Sequence, residues 1–166
     1  MTGSFIGWRL VYKAGDFIEG REKIMAAETG RAGWATAAIL LGRLIFAAVF
    51  IMAASFKLMD INATAGYIAA AGFPIPTVLA CLAALLELAL IVCLLSGAYF
   101  SEAALVAAAY VLFLAFAFHG PSHWAGSQAE FGFFVDHFTF IAGLLFAAVH
   151  GPGRVLAVQR GWISRP

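Results

Sequence analysis

The chain has 166 residues, of which 63% are hydrophobic and only 11% are Asp, Glu, Lys or Arg, against roughly 45–50% and 25% in an ordinary soluble domain. A single core of this size still leaves about a third of the unfolded surface in water, so the excess apolar surface belongs in lipid. The formal net charge is +1 and no basic patch has interleaved aromatics, which excludes nucleic acid as a partner.

Residues 1–33 come before the first long apolar run. Between Phe5 and Met25, side chains such as Trp8, Leu10, Tyr12 and Phe17 alternate with charges. That mixture is too polar to cross a bilayer, and it predicts an interfacial helix on the cytoplasmic leaflet. The apolar run that starts near Trp34 lies too late, and is too long, for a signal-peptide core, so it reads as an uncleaved anchor.

Four stretches each reach the roughly 20 helical residues that a hydrocarbon layer requires: Trp34 to Phe56, Pro76 to Leu95, Tyr99 to Phe118 and Phe133 to His150. Pro74, Pro76, Gly97, Gly120, Pro121, Gly151 and Pro152 punctuate the breaks. Lipid leaves no exposed backbone group satisfied, so runs of this length must be helices. The expectation is an all-α protein, a four-transmembrane-helix bundle over 34–150. An N-terminal interfacial helix, a cytoplasmic tail over 151–166 and a short helix in the first outer loop complete it. The short helix should cover about Asp60 to Ala71, capped by Asp60 or Asn62 and ended by Gly72. Ala103, Ala104, Ala107, Ala108 and Ala109 on the third span allow close helix contact.

Eight of the ten basic residues flank the two termini, which puts both ends in the cytoplasm. Cys81 and Cys93 lie twelve residues apart in one run, roughly 18 Å along a helix. They cannot bridge, and each reads as a small buried hydrophobe.

Two ionisable residues fall near mid-membrane, where a charge costs about 2.5–3.5 kcal/mol on insertion scales. Arg43 on the first span and Glu87 on the second sit at nearly equal depth and are expected to form an ion pair. Such a pair either fixes helix register or tunes a proton-exchanging carboxylate. At the outer end His119, His123, Trp124, Asp136 and His137 form a second polar group. Three imidazoles and a carboxylate at one face could bind a metal, ligate a single haem or hold a quinone carbonyl, but their spacing is not diagnostic, and interfacial hydrogen bonding or capping is the expected role. No metal site is assigned. Haem and metal are not expected, and a quinone suits a greasy cleft beside the histidines. The chain has sixteen phenylalanines, and those on spans three and four crowd the outer halves as lipid-facing or packing residues.

Gly42-Arg43, Lys57-Leu58, Gly66-Tyr67-Ile68, Gly72-Phe73-Pro74-Ile75-Pro76, Leu86-Glu87-Leu88, His119 and Gly151-Pro152-Gly153-Arg154 together resemble the DoxX family of small four-helix bacterial membrane proteins. The resemblance runs from about Leu41 to Arg154. It implies the bacterial inner membrane, an association with redox systems, and functional weight on Arg43, Lys57, Glu87 and His119. Trp124, five residues after His119, and the Asp136-His137 step depart from the family pattern. The functional expectation is an accessory or anchoring subunit of a larger redox or energy-converting complex, in contact with lipids and other membrane subunits. Gly143, Ala147 and Gly151 would offer it a close-contact face. The alternative is a quinone-linked oxidoreductase using Glu87, Arg43 and the outer histidines; a small-solute transporter is weaker, because no inverted repeat is visible.

Overall fold

The computed structural model describes residues 4–158 and 160–163. Among them there are helices and no strands. In chain order these are α1 (Ser4–Met59), α2 (Ile61–Ala70), α3 (Pro76–Ser96), α4 (Phe100–His119), a single 3-10 turn (Pro121–His123) and α5 (Gln128–His150). Four helices, Gly33–Met59, Pro76–Ser96, Phe100–His123 and Gln128–His150, are long and apolar enough to cross a membrane.

The chain divides into two units, Met1–Ala38 and Ile39–Pro166. In the first, the expected helix over Phe5 to Met25 is present as part of α1. An exposed Lys23–Glu19 bridge of 2.6 Å links successive turns. The apolar side chains from Phe5 to Ile18 that would define a membrane-facing side lie outside the described residues.

In the second unit, local chemistry sets each helix end. Asp60 Oδ1 accepts the Ala63 N–H at 2.9 Å and starts α2, while Gly72, at φ +85°, follows its end. Pro76 occupies the first turn of α3. The Gly97 N–H caps α3 on the Cys93 carbonyl at 2.9 Å, and φ there is +76°. A Cβ on Gly97 would lie 2.8 Å from the Ala157 Cβ, so glycine serves both the turn and the close approach of the C-terminal segment. Ser127 Oγ accepts the Glu130 N–H and starts α5.

The core is built around α4, which packs most extensively on α5. Ala103, Ala104, Ala107 and Ala108 are buried and let neighbouring backbones approach as expected; Ala109 is exposed. From α1, Arg43, Ala47, Phe50 and Ala54 turn inward at helical spacing, with half-buried Lys57 completing the stripe. Phe113, Phe116, Phe131, Phe133 and Phe138 remain exposed, as suits lipid contact.

Two expectations need correction. Cys81 is exposed on α3 rather than buried, while Cys93 is half-buried; both are free. The small-residue face of α5 is partly filled from within, since a Cβ on Gly143 would meet the Phe46 ring at 3.0 Å.

Candidate functional site

The expected Arg43–Glu87 pair does not form. Arg43 is 3% exposed and turns all its donors to carbonyls. Nε donates to Leu94 O (3.2 Å), Nη1 to Pro152 O (3.0 Å) and Val155 O (2.9 Å), and Nη2 to Leu95 O (2.7 Å) and Leu156 O (2.9 Å). Guanidinium has five N–H donors, and each has an acceptor here. Leu94 and Leu95 carry carbonyls of the last α3 turn, which lack intrahelical partners and sit at the negative end of the helix dipole. The remaining three acceptors tie down the C-terminal segment. That segment is also held where the Trp162 and Ile163 N–H groups reach Glu102 Oε1.

The physical reason is the lean of helical side chains. Each Cα–Cβ bond tilts toward its own helix N-terminus. Because α1 and α3 run antiparallel, Arg43 leans toward the end of the bundle where α3 finishes, and Glu87 leans the other way. Equal depth of the Cα atoms therefore does not bring the two charges together.

Glu87 instead pairs with Lys57. Its side chain is 1% exposed, and Oε1 lies 2.9 Å from Lys57 Nζ. The Tyr110 hydroxyl donates to the same oxygen at 2.9 Å. Lys57 also leans back along α1, with Nζ 3.4 Å from the Ala53 carbonyl. Three helices thus converge on one carboxylate. Its second oxygen, Oε2, is buried with no hydrogen-bond partner, an expensive state for a polar atom in a low dielectric.

In front of this triad lies a cavity of about 550 Å³ whose lining includes Lys57, Asp60, Thr64, Tyr67, Tyr110, His119 and His137. A second cavity of about 510 Å³, almost wholly apolar, is lined by residues such as Phe73, Leu79, Leu82 and Phe113. Ile68, Ala83, Tyr110, Leu114 and Phe118 belong to both walls. Between them the two cavities offer a mainly apolar compartment edged by polar side chains beside one that is almost wholly apolar.

His119 and His137 come together, with ring centroids 5.1 Å apart. His119 Nδ1 lies 2.7 Å from Glu130 Oε2, and His137 Nδ1 lies 2.6 Å from the Phe133 carbonyl. The Trp124 indole donates to the His119 carbonyl at 2.8 Å, so Trp124 holds the turn rather than facing the cavity. His123 is exposed, its ring 3.3 Å from Ser122 Oγ, and Asp136 is also exposed; neither lines the cavity. Burial, and then the negative charge of Glu130, raise the Tyr67 phenol above its ordinary value, so it stays a neutral hydroxyl. Among the described residues, no group of three or more His, Cys, Asp or Glu side chains converges as a metal cage.

Tyr110 and Glu130 were not singled out from sequence. The signal for Tyr110 was present: a lone tyrosine in an apolar span needs a partner for its hydroxyl, and Glu87 is a mid-span acceptor. Glu130 looked like an ordinary first-turn acid of α5.

The fold and this site define a multi-pass helical membrane protein with a polar cluster and a cavity inside its bundle. The DoxX family model matches residues 38–120, and the chain belongs to the DoxX family. The matched stretch contains Lys57, Glu87, Tyr110 and His119, and stops before Glu130 and His137. Comparisons with curated proteins and with solved structures returned no match.

Proposed function

We propose that this protein is a quinone-binding subunit of a membrane redox system, placed in the bacterial inner membrane with both termini in the cytoplasm. The observation that carries the reading is the pair of adjoining cavities, one lined by Lys57, Tyr110, His119 and His137 and the other apolar. A lipid-soluble molecule with a polar head and an isoprenoid tail needs both kinds of wall. Eight basic residues around the termini support the orientation.

In this reading Lys57 offers an N–H to a ligand carbonyl, and Glu87 behind it holds the ammonium in place. Glu87 itself stays buried behind Lys57, and the Tyr110 hydroxyl bridges its carboxylate to the cavity wall. A bound quinone supplies the redox chemistry, accepting two electrons and two protons on full reduction. The electrons come from a partner redox protein, which retains the accessory role expected from the sequence.

The test uses the full chain in mild detergent, titrated with a decyl-substituted benzoquinone while tryptophan fluorescence is followed. Saturable quenching at one quinone per chain is expected. Ala83→Phe, which fills the wall shared by both cavities, should abolish it. Non-saturating quenching that is equal in both proteins would show partitioning into detergent and overturn the proposal.

A further inference from the structure

The faces that α3 and α4 turn to each other do not interlock along their whole length. At one end the seam is closed, where Leu90 and Leu94 of α3 and Phe100, Ala103, Ala104 and Ala107 of α4 are buried in one cluster. Toward the start of α3 and the end of α4 it parts. Leu79, Leu82, Ala83 and Leu86 recur at the spacing of one helix face, as do Tyr110, Phe113 and Leu114 on α4, and such faces ordinarily pack ridges into grooves. Here they wall the apolar cavity of about 510 Å³ instead. Phe73 spans its top from the turn before α3, with its ring 5.8 Å from that of Phe113 and 6.0 Å from that of Phe118. The side stays open: Leu82 is 55% exposed and Phe113 is 52% exposed, one on each helix, and both helices are long and apolar enough to cross a membrane. The opening therefore faces acyl chains rather than water.

Packed protein interiors tolerate few voids larger than a water molecule, so a parted seam of this size calls for an occupant. Tyr110 is the one polar side chain on its wall, and the hydroxyl is turned to Glu87, which leaves the seam to an apolar chain. Ala83, Tyr110 and Leu114 also line the cavity that holds Lys57, so one molecule can occupy both spaces. We infer that the seam between α3 and α4 is the exit for the tail of the bound ligand, which runs from the shared wall past Leu82 and Phe113 into the lipid. The site then accepts long-tailed quinones and sets no upper limit on tail length. This rests on the quinone reading above and deepens it by assigning where the tail leaves the bundle.

Three quinones with one dimethoxy-methyl-benzoquinone head are titrated into the full chain in mild detergent, with tryptophan fluorescence read for each. One has no tail, one has a decyl tail and one has a prenyl tail longer than decyl. Affinities are referred to the micellar phase, so that partitioning cancels. The parent is expected to bind the decyl and prenyl compounds equally well. Leu82→Phe and the double variant Leu79→Phe/Leu82→Phe narrow the seam at positions that do not line the cavity holding Lys57. Leu85→Phe adds the same ring at a position 63% exposed and on neither wall. All three are tested after their helix content and elution volume are shown to match the parent. The double variant should weaken both tailed quinones by about tenfold, the scale on which an overfilled space rejects a group, and Leu82→Phe should weaken them less. The tail-free compound should keep the parent's affinity throughout, and Leu85→Phe should change nothing. Rejection of the longer tail by the parent shows a closed pocket and overturns the inference. Decyl affinity unchanged in the seam variants overturns it too, giving the seam to lipid acyl chains and leaving the quinone reading standing. A loss shared equally by the tail-free compound, or by Leu85→Phe, likewise overturns the assignment to the seam. Saturable binding of none of the three overturns the quinone reading and this inference together.

Discussion

Replacing Lys57 by methionine keeps most of the unbranched side chain and removes its charged end. Glu87 is then left buried, 1% exposed, with the Tyr110 hydroxyl still donating to it. Stranding one member of a buried ion pair costs about 3–5 kcal/mol. For a chain of this length that is a fall in melting temperature on the order of 10 °C, measured by intrinsic fluorescence in mild detergent. The double variant Lys57→Met/Glu87→Gln should recover about 1–3 kcal/mol of that loss, because a neutral amide needs no counter-ion. Glu87→Gln alone should be milder than Lys57→Met, since the Lys57 side chain is 19% exposed and can reach water or headgroups. The reasoning fails if Lys57→Met melts with the parent, or if the double variant is no more stable than Lys57→Met.

Arg43→Lys keeps the cation but brings three donors to five carbonyls, leaving at least two acceptors unpaired at about 1–3 kcal/mol each. The expected result is a melting temperature several degrees lower and faster proteolysis after Gly151; a variant indistinguishable from the parent in both assays would refute it. Asp60→Ala removes the α2 cap and should cost about 1 kcal/mol, read in the same melt, while Asp60→Asn should stay near the parent. Loss in both variants alike would show that Asp60 acts through its charge rather than as a cap.

The outer histidines show how far residue type and order carried the site. His119 and His137 belong to different helices, and their approach depends on the dominant α4–α5 packing. Their place near the same membrane face was legible from span ends and turn residues. Trp124 and His123 stood as close in sequence, yet the 3-10 turn between Gly120 and Trp124 sends one indole back onto the His119 carbonyl and leaves the other ring exposed. Spacing alone does not report that rotation. Similarly, the small-residue face of α5 was visible, but the fact that Phe46 reaches Gly143 was not.

Composition determined that the chain is helical and made for lipid, because hydrocarbon tolerates long apolar stretches only when every peptide group bonds within its own helix. Chain order also determined the helix boundaries, through Asp60, Gly72, Pro76, Gly97 and Gly151, whose chemistry acts within one turn. Tertiary structure alone decided which charges meet. Depth along a span is a one-dimensional quantity, but contact also depends on the direction in which each side chain leans and on the face each helix turns to its neighbour. Antiparallel packing therefore sent Arg43 to the carbonyls at the end of α3 and gave Glu87 to Lys57 and Tyr110.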